Sequence, residues 1–174
     1  MEFSFTTDYN QKAVTAMARA LRKTIRKKHS RRSHLLGWII ILLAVLLTLP
    51  QEGMPFSIDF KTVITWAAAL FIFIAFLFED SLNGYLARKK MLAGTERTVC
   101  HFSEDGYQSV TGMGETQFRY ENIAVIAETA DYYVFLLDAR YAQVYDKASL
   151  TGGTQEEFRH FLCEQTEKQI LSVS

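Results

Sequence analysis

Two long apolar runs dominate the pattern of hydrophobic and polar positions along the chain. Leu35 to Leu49 has no ionisable residue in 15 positions, and Thr62 to Phe78 has none in 17. A helix that spans a membrane needs about 17 to 25 residues, so flanking residues should extend each run. The pattern predicts a transmembrane hairpin over residues 35–78, with spans at about 34–50 and 58–78.

Basic residues are distributed unequally around the two runs. Residues 19–32 contain eight basic side chains and no acidic one, whereas the connection at residues 50–61 has Glu52 and Asp59 against one lysine. Three more basic residues follow the second run: Arg88, Lys89 and Lys90. The positive-inside rule therefore predicts a multi-pass membrane protein with both termini in the cytoplasm. A cleaved signal peptide is the alternative, but the basic region is too long and a small-x-small cleavage site is missing after the first run.

The N-terminal segment combines a short strand with a basic helix. Residues 2–6 alternate polar and apolar side chains, and Asp8 is expected to cap a helix that runs on toward the first span. Val14, Met17, Leu21 and Ile25 form one apolar stripe. The stripe either packs on the cytosolic domain, which we favour, or lies on anionic lipid. The predicted membrane-surface contacts are Arg19, Arg22, Lys23, Arg26, Lys27, Arg31 and Arg32.

Six short strands are predicted after a helical stem at residues 79–94. The turns between them, such as Asp105-Gly106, are too short for parallel crossovers, so the strands should form an antiparallel meander. The predicted strands are Thr98–Ser103, Tyr107–Thr111, Thr116–Tyr120, Ile123–Glu128, Tyr132–Leu137 and Tyr141–Tyr145.

A C-terminal helix is predicted to close the sheet. Thr154 and Glu157 form a T-x-x-E capping box, and the expected buried face follows at helical spacing. That face is Phe158, Phe161, Leu162 and Ile170. Strands followed by one helix predict an antiparallel β-barrel of the pleckstrin-homology (PH)-like type, capped by that helix. The fold class is therefore α+β, with a transmembrane hairpin and a cytosolic PH-like domain.

Four segments follow from this pattern: residues 1–34, the hairpin at 35–78, the stem at 79–94 and the cytosolic domain at 95–174. The net charge of zero hides a strong asymmetry. Residues 1–34 carry nine basic and two acidic side chains, whereas residues 95–174 carry six basic and thirteen acidic ones. An acidic domain beside a basic stem favours docking between them.

Several short motifs lie at residues 5–9, 102–106, 120–123, 126–129, 132–133 and 144–148. Together they resemble the YcxB-like family of bacterial membrane proteins. The resemblance implies two membrane spans and a C-terminal domain similar to bacterial PH-like domains, placed at the bacterial inner membrane. It implies no reaction.

Candidate chemistry is sparse. Cys100, His101, His160 and Cys163 suggest a zinc site, but adjacent strand residues such as Cys100 and His101 point to opposite faces. A Gly-x-Ser-x-Gly elbow and a phosphate-binding glycine loop before a helix are both missing from the sequence. We therefore predict a non-enzymatic protein without metal or cofactor, and an unrecognised hydrolase is the disfavoured alternative.

The first predicted hairpin, Ser103 to Gly106, is acidic, which disfavours binding of phosphoinositide-type head groups there. The basic stem lacks interleaved aromatic residues, so specific nucleic-acid binding is not expected either. The expected partners are the lipid bilayer and a protein, which is either a different protein or a second copy of the chain.

Tyrosines are concentrated in the predicted sheet. Those on an outer face would form an amphipathic contact surface, and the alternative is that they pack the small domain. The candidate partner-binding residues are Tyr132, Tyr133, Tyr141 and Tyr145. The expected function is protein interaction or scaffolding at the membrane. The alternative is a membrane-embedded immunity or protective factor that acts through the hairpin.

Overall fold

A computed structural model describes residues 2–49 and 58–173, which form two compact units. Met1–Lys27 and Asp80–Ser174 form the first unit, and Lys28–Glu79 form the second. The turn predicted at residues 50–57 lies outside the described residues. The elements in chain order are β1 (Phe3–Asp8), α1 (Gln11–Lys23), α2 (Lys27–Leu47), α3 (Phe60–Leu77), α4 (Glu79–Lys89), β2 (Arg97–Ser103), β3 (Gly106–Thr111), β4 (Gly114–Phe118), β5 (Val125–Glu128), β6 (Tyr132–Leu136), β7 (Ala142–Asp146), α5 (Gln155–Thr166) and β8 (Ile170–Ser172).

The strands of the first unit form two four-stranded sheets. Sheet A has the order β1-β2-β3-β4, and sheet B has the order β7-β6-β5-β8. The predicted closed barrel and single meander are therefore wrong. Where β1 approaches the β7 end of sheet B, side chains replace the backbone ladder: Asp146 N–H donates to Thr7 Oγ1 at 3.0 Å and Thr6 N–H donates to Ser149 Oγ at 3.1 Å.

The C-terminal helix is shorter than predicted. It ends at Thr166 and is capped by Glu167, which adopts the left-handed conformation at φ 53° and donates its N–H to Cys163 O. Ile170 therefore lies in β8, parallel to β5, and not on the helix. A parallel pair is possible here because α5 lies between the two strands in the chain and provides the crossover.

Aromatic side chains fill the space between the two sheets and α5. The inward positions alternate along each strand, as in Phe3 and Phe5 of β1. Phe158 of α5 is fully buried among rings from both sheets. Its ring centroid lies 4.8 Å from that of Phe5, 5.1 Å from that of Phe102 and 5.3 Å from that of Tyr133.

Helix α1 covers the outer face of sheet B. Ala13, Ala16 and Ala20 are buried against β6, and Met17, Leu21 and Ile25 pack at the rim of the same cluster. This confirms the favoured interpretation of the apolar stripe. The predicted cap and continuation are corrected: Asn10 caps α1 by accepting from Ala13 N–H at 3.0 Å, because Asp8 is still paired in β1. The helix stops at Lys23, and α2 begins separately at Lys27.

In the second unit, α2 and α3 are both long and apolar enough to cross a membrane. They contact each other near one end. His34 stacks on Phe76 with ring centroids 4.6 Å apart, and His34 Nε2 lies 2.7 Å from Glu79 Oε2. Gly37 is buried against the Phe76 ring, which leaves no room there for a larger side chain.

Candidate protein-binding surface

The four tyrosines predicted to bind a partner do not share a surface. Tyr132 is buried under α1, and Tyr133 and Tyr145 are buried between the sheets. Of the four, only Tyr141 is exposed, at 68%. The alternative interpretation, that tyrosines pack the small domain, accounts for the other three.

Buried tyrosine hydroxyls find partners inside the first unit. Tyr107 and Tyr145 donate to Gln143 Oε1 at 2.9 and 2.8 Å, and Tyr120 donates to Ser103 O at 2.7 Å. Burial raises the pKa of each of these phenols. They therefore stay neutral hydrogen-bond donors and stabilise the interior.

The predicted membrane-surface residues occupy both units. Arg22 binds Asp80 of α4 through two hydrogen bonds of 2.5 and 2.7 Å, and Arg19 Nε lies 3.4 Å from the same carboxylate. Arg26 donates to Ala139 O at 3.0 and 2.6 Å. The other four are exposed, and their lipid contact stays a prediction: Lys23, Lys27, Arg31 and Arg32.

A buried charged cluster holds α5 to sheet B. The Glu128 and Lys147 side chains are each 9% exposed, and Lys147 Nζ lies 2.5 Å from Glu128 Oε1. Arg159 of α5 donates to both Glu128 carboxylate oxygens. Lys147 Nζ also donates to Thr129 O at 2.6 Å and lies 5.0 Å from the centroid of the Tyr133 ring.

Burial alone would raise the pKa of Glu128. Hydrogen bonds from Arg159 and Lys147, together with their positive charges, outweigh that effect and hold the pKa below its usual value. The carboxylate is therefore ionised at neutral pH and its neighbours satisfy it. The cluster links β5, the Lys147–Ser149 turn and α5.

Sequence reasoning did not pair these three residues. The sequence feature that could have drawn attention to Glu128 and Lys147 is their position within the family motifs at residues 126–129 and 144–148. Their contact depends on the β5-β6-β7 register, and Arg159 reaches them only when α5 packs over the same sheet.

The two cysteines occupy different environments. Cys100 is buried in the aromatic core, whereas its neighbour His101 is exposed on the opposite face of β2. Cys163 and His160 are exposed on α5. Burial raises the pKa of the Cys100 thiol to about 12, against a smaller opposing effect of its hydrogen bond with Tyr145.

We expect a maleimide to label Cys163 and not Cys100 in the folded protein at neutral pH, because only an accessible thiolate reacts. Mass spectrometry of Cys163→Ser and Cys100→Ser variants before and after denaturation measures this. Cys163→Ser should take up the label only when unfolded. Equal labelling of the two folded variants would contradict the burial of Cys100.

The outer face of sheet A differs from that of sheet B. Its side chains are partly or fully exposed, in two cross-strand rows. The first row is Ser4, His101, Gln108 and Gln117, and the second is Thr6, Val99, Val110 and Glu115. Gln108 Nε2 donates to Glu115 Oε2 at 2.7 Å. Neither row contains lysine or arginine, and Arg97 at the next outward pair of β1 and β2 lies opposite Asp8, with Arg97 Nε 3.9 Å from Asp8 Oδ1. This arrangement favours a protein over a phosphate-bearing ligand.

A groove of about 580 Å³ lies at one end of this face. Residues of the β2–β3 hairpin and the end of β4 line it, with Phe118 and Asp105 among them. Strand β4 forms the edge of the sheet, and its residues from Gly114 to Gln117 are exposed. The groove and the open strand edge therefore lie on the same sheet.

Most residues of the groove and of the β4 edge lie in a segment that matches a family model. The family model described as YcxB-like protein matches residues 102–162. This segment is YcxB-like. The resemblance expected from the sequence is confirmed over it. The YcxB-like segment runs from the end of β2 into α5, so it contains β3, β4, the buried charged cluster and most of sheet B. No curated protein and no solved structure matches the chain.

Proposed function

We propose that this chain is a non-enzymatic membrane protein whose cytosolic unit binds another protein, or a second copy of itself, through sheet A. The observation that carries the proposal is the contrast between the sheets: α1 covers the outer face of sheet B, whereas sheet A keeps an accessible face and an open edge strand. We also propose that the unit is PH-like. The order of its elements, strands β2 to β7 followed by helix α5, supports this proposal.

Three observations support anchoring in the bacterial inner membrane. Helices α2 and α3 expose large apolar side chains along their length, such as Leu47 at 77% and Phe71 at 74%. Soluble proteins rarely expose a continuous apolar surface of this kind to water. The chain segments before and after this pair belong to one compact unit. If the chain enters the membrane between them, it must therefore cross an even number of times. Basic residues flank the pair on the same side, which favours cytoplasmic termini.

The edge of β4 offers backbone hydrogen bonds to a partner. A two-residue turn at Gly112 and Met113 joins β3 to β4, so the pairs Thr111–Gly114 and Ser109–Thr116 exchange hydrogen bonds. By the same alternation, Glu115 and Gln117 direct their N–H and C=O groups away from β3. An added strand from a partner could pair with these groups, with side-chain contacts on the two exposed rows.

A photo-crosslinking amino acid at Gln117 of the full-length protein in intact cells tests the proposal. We expect a discrete adduct, either of two chains or of one chain with one other protein. Glu115→Pro should abolish it, because proline removes an outward N–H without removing a bond to β3. The control is the same crosslinker at Glu164, which is exposed on α5. Equal adducts at the two positions, or an adduct that survives Glu115→Pro, would count against sheet A.

Two further variants separate the alternatives. Adducts at Tyr141 but not at Gln117 would favour the surface predicted from the tyrosines. Replacing residues 35–78 with an unrelated transmembrane hairpin should leave the Gln117 adduct unchanged. Loss of the adduct, with the domain still folded, would instead favour the immunity or protective factor that acts through the hairpin.

A further inference from the structure

Helix α4 has one face fixed to α1. Asp80 accepts hydrogen bonds from Arg19 and Arg22, and Gly84 packs so closely that a Cβ there would lie 2.9 Å from Thr15 Cα. Gln11 Nε2 also donates to Ser81 O at 3.0 Å. These contacts determine which side of α4 points away from the folded unit.

The opposite face of α4 carries an exposed apolar stripe. Leu82, Tyr85 and Leu86 are 50%, 57% and 47% exposed, and their i, i+3, i+4 spacing places them on one side of the helix. We call these three residues the α4 stripe. Three exposed basic residues follow it directly: Arg88, Lys89 and Lys90. Among residues 81–95 there is no acidic side chain to compensate them.

Chain length limits how far the stripe can lie from the apolar run. The run ends at Phe78, and at about 1.5 Å per helical residue Leu82 and Leu86 can lie at most about 6 and 12 Å further along. The polar interface of a bilayer adds about 5 to 8 Å to each side of the hydrocarbon core. The α4 stripe can therefore reach the head-group region if α3 spans the membrane.

We propose that the membrane surface covers the α4 stripe. The side chains of Leu82, Tyr85 and Leu86 contact the boundary between head groups and acyl chains, and the three basic residues bind the phosphates of anionic lipids. Apolar contact beside a basic cluster is the pattern of a helix at the membrane interface. This inference rests on the proposed anchoring through α3 and adds a second, surface contact to it.

Depth-dependent fluorescence quenching tests the contact. A Tyr85→Cys variant in a Cys163→Ser background is labelled with an environment-sensitive fluorophore and reconstituted, full length, in vesicles of phosphatidylcholine and phosphatidylglycerol. A nitroxide quencher sits near the head group of a trace lipid. The matched control carries the fluorophore at Met113→Cys, a residue 62% exposed in the β3–β4 turn.

We expect several-fold stronger quenching at position 85 than at position 113. The triple variant Arg88→Gln, Lys89→Gln, Lys90→Gln should lower the quenching at position 85 in vesicles that contain phosphatidylglycerol. Added salt should also lower this quenching in the protein that keeps its three basic residues. Quenching at position 85 no greater than at position 113 would overturn the inference.

A second copy of the chain is the other possible cover. Disulfide-linked dimers of the unlabelled Tyr85→Cys variant, with no lipid quenching at that position, would overturn the lipid contact and assign the α4 stripe to self-association. Failure of the surface contact can be distinguished from failure of the anchoring through α3. Without anchoring, the whole protein would remain in solution in the absence of detergent or lipid.

Discussion

Phe158→Ala is expected to destabilise the first unit by about 3 to 5 kcal/mol, the usual cost of emptying a buried phenylalanine site. Phe158 is fully buried and its ring meets rings from both sheets and from its own helix. A domain of this size has about 5 to 15 kcal/mol of stability in total, so the variant should lose a large part of it. Urea unfolding in detergent, followed by aromatic circular dichroism, measures the change.

The control for Phe158→Ala is Tyr141→Ala, which removes an aromatic ring of similar size from an exposed position. Its effect should stay within about 0.5 kcal/mol. Similar losses for the two variants would contradict the central position of Phe158 in the aromatic core.

Glu128→Gln should cost about 3 to 5 kcal/mol, because it leaves the buried ammonium of Lys147 without a counter-charge. Arg159 is half-exposed and can turn toward water, whereas Lys147 cannot. The double variant Glu128→Leu, Lys147→Met removes both buried charges, so it should be more stable than Glu128→Gln. Urea unfolding at neutral pH compares the three proteins.

The same residue predicts an acid-sensitive component of stability. Because the folded pKa of Glu128 is lowered, its contribution is fully present above the unfolded pKa of about 4.3 and is lost as the pH falls through the folded value. Glu128→Gln should lack this component. A wild-type loss of stability below pH 4 that the variant reproduces in full would assign the acid sensitivity to other carboxylates.

Local signals in the sequence located most elements of the first unit. All six predicted strands occur within two residues of their expected bounds. The Thr154–Glu157 capping box forms, and the Glu104–Asp105 and Gly112–Met113 turns join the strands as expected. These features depend on hydrogen bonds between near neighbours, which residue type and spacing largely determine.

Features that depend on distant contacts were missed. The division into two sheets and the parallel pairing of β8 follow from how α5 packs, which periodicity does not encode. One signal for the buried tyrosines was present: Tyr132 to Leu136 is an unbroken run of five apolar residues. Such a run is typical of a strand covered on both faces, and α1 provides the second cover.

The candidate surface was located only in part. The acidic β2–β3 hairpin was expected to disfavour phosphate, and it borders the groove on sheet A. The four tyrosines do not form one surface, because α1 covers Tyr132, the interior takes up Tyr133 and Tyr145, and only Tyr141 of the four is exposed. The two cross-strand rows of sheet A were missed because they become visible only when the register of β1 to β4 is known.

The pairing of β1 with β2 has a consequence for biosynthesis. Phe3 pairs with Phe102, so the first strand leaves the ribosome long before its neighbour exists, and both apolar helices are translated in between. Strand β1 of the nascent chain therefore has no β2 to pair with until translation has passed Ser103. Both apolar helices are therefore synthesised first, and completion of sheet A is the later event.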